Sequence, residues 1–548
     1  MGLSAKPTQT NKFKTPTKKP MMVDQTPQKF VLALDLGSSG LKAAVVSDMG
    51  DVLTQAYEPI ETILLPDGGV EQDANQWWTI TKRAAKKVIA DSGVNPEQIV
   101  GICCDSQYAL IVSVNEHAEP LMNAISYLDT RGGKHNRQLM TGFPRMQEMS
   151  IRKLIKYIRL TGIAPTKTGA DSLAHMLVIK NELPEIYQKT HKFLEPMDFL
   201  TSRLTGRITA SQHTVITMMQ TSNRSWGELE YDDSLLKLSG LDRDKLPELL
   251  PNDGIVGNLD PAVATELGLS SSTQVVSGVL DSQAAIVGAG IVESKQGLIL
   301  VSTTLSLNGY VDRKKTDLLN MIASMPACME DKYMLLCEQG LGGKCLDYFL
   351  NNIVCNDDDF KSGEMPEDAF ERLNAMAAEV EPGSHNVLFL PWLNGSFAPA
   401  ENQNVRGGFF NLSLDTNRCH MTRAVMEGVA FNSRGALGAV EKFMDTKFES
   451  LRFAGGGALS DIWAQAYADI LQIPIHQMED PVQVTCRGAG LIGLIRLGHI
   501  TPADITARVK IKHTFNPIAA HRSTYDKLFQ QFQAVFKKNQ AVFNALNG

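Results

Sequence analysis

The strongest constraint on how this 548-residue chain can fold is one pattern that occurs twice. VLALDLGSSGLKAAVV, residues 31–46, reads as an apolar strand, a tight turn of glycine and hydroxyl residues, and a second apolar strand. QGLILVSTTLSLNGYV, residues 296–311, repeats the plan with Ser302, Thr303 and Thr304 in the turn. Two isolated carboxylates stand out against this apolar background. Asp35 ends the first strand, and Asp281 stands in GVLDSQAAIVGAGI, shortly before the second hairpin. An unpaired carboxylate in an apolar strand is costly, so each must have a partner or a ligand.

A chain this long exceeds a single hydrophobic core, and the repeated plan predicts two α/β domains. We expect the first over residues 30–270 and the second over 271–548. They follow a tail, residues 1–29, whose Lys, Thr, Pro and Gln content predicts disorder. EQDANQWWTITKRAAKKVIADSG has the periodicity of an amphipathic helix, and IVGICCDS that of a buried strand. Spacing from about Arg152 to Thr205 is mainly helical, whereas Asn252 to Ser272 reads as loop. In LRFAGGGALSDIWAQAYADIL a turn of small residues opens a clear helix, and another amphipathic helix ends the chain.

Bulk properties remove several functions. A net charge of -7 gives no reason to expect nucleic acid. No apolar run reaches the roughly 18 residues of a membrane span, and no secretory signal is visible. The eight cysteines form no CxxC pair, so neither a zinc site nor a disulfide framework is expected, and a reducing cytoplasm fits best. Lys6 breaks the myristoylation pattern that Met1-Gly2 would open. The Walker P-loop is absent: GLGGKC, residues 340–345, lacks its spacing and the hydroxyl after Lys. Gly488, Gly490 and Gly493 spell GxGxxG, but CRGAGLIGLIRLG reads as the interior of an apolar helix, where glycine permits close packing.

What remains suits phosphate chemistry. Glycine-rich turns and helix N-termini bring backbone N–H groups close to phosphate oxygens. An ATP held between the two hairpins would use every one of these features. One Asp would lie near Mg²⁺, and the other would accept the proton of an attacking hydroxyl.

In their order along the chain, from Phe30 to the end, these segments resemble the FGGY carbohydrate kinases. That family lies within the sugar kinase, heat-shock 70 and actin superfamily, and the xylulokinase branch is the most similar. LALDLGSSGLKAAV resembles its first phosphate loop, and GVEQDANQWW its E-x-D-x-x-x-W-W segment. ISYLDTR resembles its W-x-D-x-R stretch, with Tyr127 in the Trp position, and FLEPMDFLTSRLTG the segment ending in Leu-Thr-Gly. GVLDSQAAIVGAG resembles the element that carries the catalytic Asp, and VSTTLSL the Gly-Thr-Ser phosphate loop. FLPWLNGSFAP, VRGGFFNLSL, RAVMEGVAF and FAGGGALSDIWAQAYADIL resemble the adenosine-side motifs.

The resemblance implies two actin-like (ribonuclease H-like) α/β domains with an ATP and sugar cleft between them. It implies Asp281 as the catalytic base and Asp35 near Mg²⁺. Gly37, Ser38, Ser39, Lys42, Ser302, Thr303 and Thr304 would meet the phosphates, and Gly455, Gly456, Gly457 and Ala458 the nucleotide. Gln107, Tyr108, Asp129, Arg131 and Trp78 would surround the sugar together with Asp281. The implied acceptor is a ketose such as xylulose, or a related polyol or sugar acid, and relatives of this fold often form homodimers. Structural alternatives stay open for Asp35 as a capped carboxylate, Asp281 as a helix cap, Asp129 as a pair with Arg131, and Lys42 as a solvated side chain.

Three departures stand out. Val279 and Leu280 replace glycines before the catalytic Asp, Ser302 replaces the Gly of Gly-Thr-Ser, and Gln107 to Leu110 read Gln-Tyr-Ala-Leu where Gln-Met-His-Gly is expected. They motivate a second reading, a pseudokinase that senses sugar or nucleotide. A third, a chaperone-like ATPase without a small acceptor, is disfavoured by the sugar-side segments.

Overall fold

The computed structural model describes residues 27–146, 149–355 and 365–548. Of the expected tail only Pro27, Gln28 and Lys29 fall within these. The Gln28 and Lys29 carbonyls accept hydrogen bonds from the Gln98 side chain and the Asp48 N–H.

The two hairpins found in the sequence are the centres of two sheets with one plan. In the first sheet Phe30–Leu36, Gly40–Ser47 and Val52–Pro59 form an antiparallel meander. Helix Ala74–Ser92 then crosses back to Ile99–Ser106, which lies parallel to Phe30–Leu36. That helix starts where Asp73 accepts a hydrogen bond from Asn75 N–H and ends at Gly93, whose φ of 65° suits glycine. In the second sheet Gln296–Val301, Thr304–Val311 and Tyr333–Leu341 repeat the meander. The long helix Arg418–Met444 lies between them in sequence and Ser450–Ala454, which runs parallel to Gln296–Val301. Between the sheets in sequence lies a mainly helical region, in which Ile151–Thr161 and Ser172–Glu182 pack around a core of their own while Pro196–Thr205 packs against the first sheet.

Two expectations are corrected. Residues 252–272 contain the strand Ile255–Asn258 and the helix Pro261–Leu267, the latter capped by Asp260 and opened by Pro261. Both are too short to show a period in sequence. Strands Gln274–Val276 and Val279–Leu280 join the first sheet, beside Ile99–Ser106, so that sheet runs past the division expected at 270/271.

The domains share a core. Val31, Ala33, Ala44 and Val46 of the first sheet and Leu298, Tyr310 and Met334 of the second enter one buried cluster with helices Asp281–Gly288 and Val484–Arg496. Here the GxGxxG glycines have their use. A Cβ on Gly488 would fall 1.8 Å from the Ala284 carbonyl, one on Gly490 2.4 Å from Val46, and one on Gly493 2.9 Å from Val31. Only glycine lets the second helix lie against both the first helix and the sheet. Among the described residues no helix is long and apolar enough to cross a membrane, and all eight cysteines are free.

Candidate active site

Neighbouring parallel strands deliver three carboxylates to one edge of the first sheet. Asp35 stands opposite Asp105, and Asp105 stands opposite Val279, two residues before Asp281. The carboxyl ends of strands are where open α/β sheets place ligands. Asp35 is buried; its Oδ2 accepts from Lys42 Nζ at 2.9 Å and from Thr485 Oγ1 at 2.5 Å. Asp35 in turn raises the pKa of the Lys42 ammonium. Asp105 is fully buried, and among the described residues no donor pairs with its carboxyl, which lies against that of Asp35. Burial, then the charges of Asp35 and Asp281, hold its carboxyl well above the ordinary carboxylate range.

Asp281 is half-buried at the first position of its helix, where among the described residues its Oδ1 accepts only from the Ser282 N–H at 2.6 Å. The capping position itself belongs to Leu280, which makes no side-chain cap. Burial first, and Asp35 second, push the Asp281 carboxyl up to about 7. A carboxylate poised near neutrality with one oxygen uncommitted suits a general base.

The first turn is closed by Gly37 N–H donating to the Gly40 carbonyl at 3.0 Å, leaving Ser39 exposed and Ser38 half-exposed. In the second, Ser302 N–H donates to Thr304, and Gly342 and Gly343 donate to Thr303 and Ser302. GLGGKC therefore braces the second turn. Gly455 approaches the same turn with φ 85°, and a Cβ there would lie 2.4 Å from the Val301 carbonyl. Gly456 faces open space. Gly457 and Ala458 are buried, with Gly457 against Val301 and the Ala458 carbonyl bonded to Gln477, so this pair secures the turn from behind. Ser302 is not among the residues with positive φ, and Leu280 has φ -73°, so the departures from glycine at these two positions cost no backbone strain.

Among the residues expected to surround the sugar, Gln107 donates to Gln72, and Gln72 donates to the Ser38 carbonyl, tying this segment to the first turn. Gln107 Oε1 is buried without a partner among the described residues. Tyr108 sits beside Ser282 and feels the charge of Asp281, and Tyr127 lies against Ser38. Ala109, in the expected His position, holds φ 62°. Buried Glu195 accepts from the Leu110 N–H and from Ser172 and Thr217, anchoring the loop.

Asp129 is fully enclosed, with Oδ2 accepting from Val70 N–H and Arg131 Nε and Oδ1 from Arg131 N–H. Arg131 continues to Glu71 at 2.8 Å. The pair thus fixes the strand that carries Gln72, and offers no free oxygen in the way expected of a sugar ligand. Trp78 is also corrected. Its ring lies between Lys82 and Arg203, at 5.4 and 5.3 Å, within the first domain's core, as does Trp77 against Phe199.

Asp105 carried the same signal as Asp35, a lone carboxylate in an apolar strand, and sequence reasoning passed over it. Gln72, Glu195 and Thr485 carry no local signal.

Comparison with known proteins agrees with this geometry. The N-terminal domain of the FGGY family of carbohydrate kinases matches residues 30–288, and its C-terminal domain matches residues 308–497. A xylulose kinase of Bacillus subtilis (strain 168) is 26% identical over 523 residues, covering 94% of this chain and 99% of its own. A gluconokinase of Bacillus licheniformis is 25% identical over 513 residues, 92% of this chain and 94% of its own. The crystal structure of gluconate kinase from Lactobacillus acidophilus superposes with a TM-score of 0.80 at 21% identity, covering 95% of this chain and 100% of that one, and so shares the fold. With two sheets of one plan, an acidic strand edge, and family matches that span most of its length, the chain belongs to the FGGY family of carbohydrate kinases.

Proposed function

We propose that this protein transfers the γ-phosphoryl group of ATP to a hydroxyl of a small sugar or polyol, with Asp281 as the general base. The observation that carries this is the Asp281 carboxylate, pushed up to about 7 and bonded only to its neighbouring N–H, at the strand edge that also holds Asp35. Asp281 takes the proton of the acceptor hydroxyl. The turns 37–39 and 302–304, with Gly456 beside open space, offer a phosphate chain those backbone donors that do not close the turns themselves. Lys42 supplies a positive charge near Asp35. Among the described residues no three metal-binding side chains converge. Asp35 fits the one-carboxylate arrangement that Mg²⁺ uses when phosphates complete its shell. Mg²⁺ there would neutralise charge that develops on the phosphoryl oxygens.

The similarity to both xylulose kinases and gluconokinases supports a pentulose, polyol or sugar acid as acceptor. The test is ADP release with Mg-ATP across pentuloses, hexuloses, polyols and sugar acids. One acceptor raising the rate far above the sugar-free background is the expected result. A flat panel, with ATP still raising the melting temperature, would favour the sensor.

A further inference from the structure

Strand Tyr333–Leu341 flanks the second phosphate hairpin, and Glu338 stands opposite Ser306, two residues beyond Thr304. Side chains alternate along a strand. Leu335 and Cys337 enter the core of the second domain, whereas Met334 and Leu336 enter the cluster shared by the two domains, against which Tyr108 also packs. Glu338 therefore points with Leu336 toward the first domain. There it shares its surroundings with Asp281, Tyr108 and Tyr127. Its carboxyl is bonded to the Gly340 N–H, and among the described residues no cation pairs with it. The two cations expected in the site are already committed, Lys42 of the phosphate side to Asp35 and Arg131 of the sugar side to Asp129 and Glu71.

We propose that Glu338 sets acceptor specificity: facing Asp281 across the sugar end, it makes the site take uncharged ketoses or polyols and reject sugar acids. The proposal rests on the kinase reading above and narrows it to one substrate class. A carboxylate on the ligand needs an unpaired Lys or Arg, finds none there among the described residues, and adds its charge to that of Asp281. A hydroxyl or keto oxygen finds both a donor and an acceptor there, because burial and the charge of Asp281 push the Glu338 carboxyl up to about 8. Sites built on such hydrogen bonds discriminate strongly between analogues.

The test is calorimetric titration of the full chain with pentuloses, hexuloses and polyols and with D-gluconate and other aldonates, run beside ADP release with the same compounds. We expect one neutral compound to bind at least about tenfold more tightly than any aldonate. Glu338→Lys should bring gluconate binding up and narrow that ratio at least severalfold, and Glu338→Gln should narrow it above about pH 8, where the parent carboxyl ionises. An aldonate that binds as tightly as the best neutral compound would overturn the proposal, as would ratios unchanged in both variants, or no binding of either class at millimolar concentration. Preferential binding without any ADP release would overturn the kinase reading and leave this one standing. Turnover of gluconate above all neutral compounds would do the reverse.

Discussion

Asp281 stands at the first turn of its helix, with burial and Asp35 both opposing its ionisation. Only the ionised form accepts a proton, so kcat/KM for the acceptor should climb with pH and level off above about 7. A profile flat from pH 5.5 to about 8.5 would place the base elsewhere. The same shift has a cost in stability. An Asp in the unfolded chain titrates near 3.9, so between about 4 and 7 the folded state holds the extra proton. Stability is fullest below that window and is lost as pH rises through it. Asp281→Asn should therefore raise the melting temperature relative to the parent at pH 8, and the gain should shrink toward pH 5, as differential scanning fluorimetry would show. Asp35 and Asp281 were legible in the sequence because a lone carboxylate in an apolar segment is conspicuous. Glu338 was not, because its neighbours in the fold are remote in the chain and nothing local marks it.

Helix Val484–Arg496 shows how packing fixes chemistry at the scale of an element. It brings Thr485 to Asp35 and presses its glycines against the helix that begins at Asp281. Gly488→Ala would drive a Cβ into the Ala284 carbonyl, and neither helix can yield without shifting Asp281. We expect a loss of about 1–3 kcal/mol or more in urea unfolding, together with a fall in kcat. Gly456→Ala meets nothing within 4 Å, so its stability should stay within about 0.5 kcal/mol while KM for ATP rises. Both hairpins and the helical reading of GxGxxG were visible in sequence, since each is set by local spacing. The short strand and helix within 252–272 were not, because neither completes enough periods to register.

The two sheets repeat one plan, and the cluster between them draws on both, so the site depends on how the halves meet. A ligand that bridges them stabilises the whole chain by mass action. At about 100 times its Kd, a nonhydrolysable ATP analogue should add about 2.7 kcal/mol. For a chain of this length unfolding as one unit, that corresponds to a melting-temperature rise of roughly 2–3 °C. An unchanged melting temperature would mean that the hairpin turns do not hold a nucleotide. The two-domain plan could be read from the repeated hairpin, but the exchange of helix Val484–Arg496 onto the first sheet could not, because its partners lie some 450 residues upstream in the chain, as Thr485 and Asp35 do.

The most direct test of the central claim is acceptor-dependent ADP release by the parent and by Asp281→Asn, measured side by side with Mg-ATP and the best acceptor. The account predicts a fall in kcat of about 10²–10⁴-fold with the affinity for ATP retained. An Asp281→Asn protein that phosphorylates the acceptor at a rate close to the parent's would contradict it.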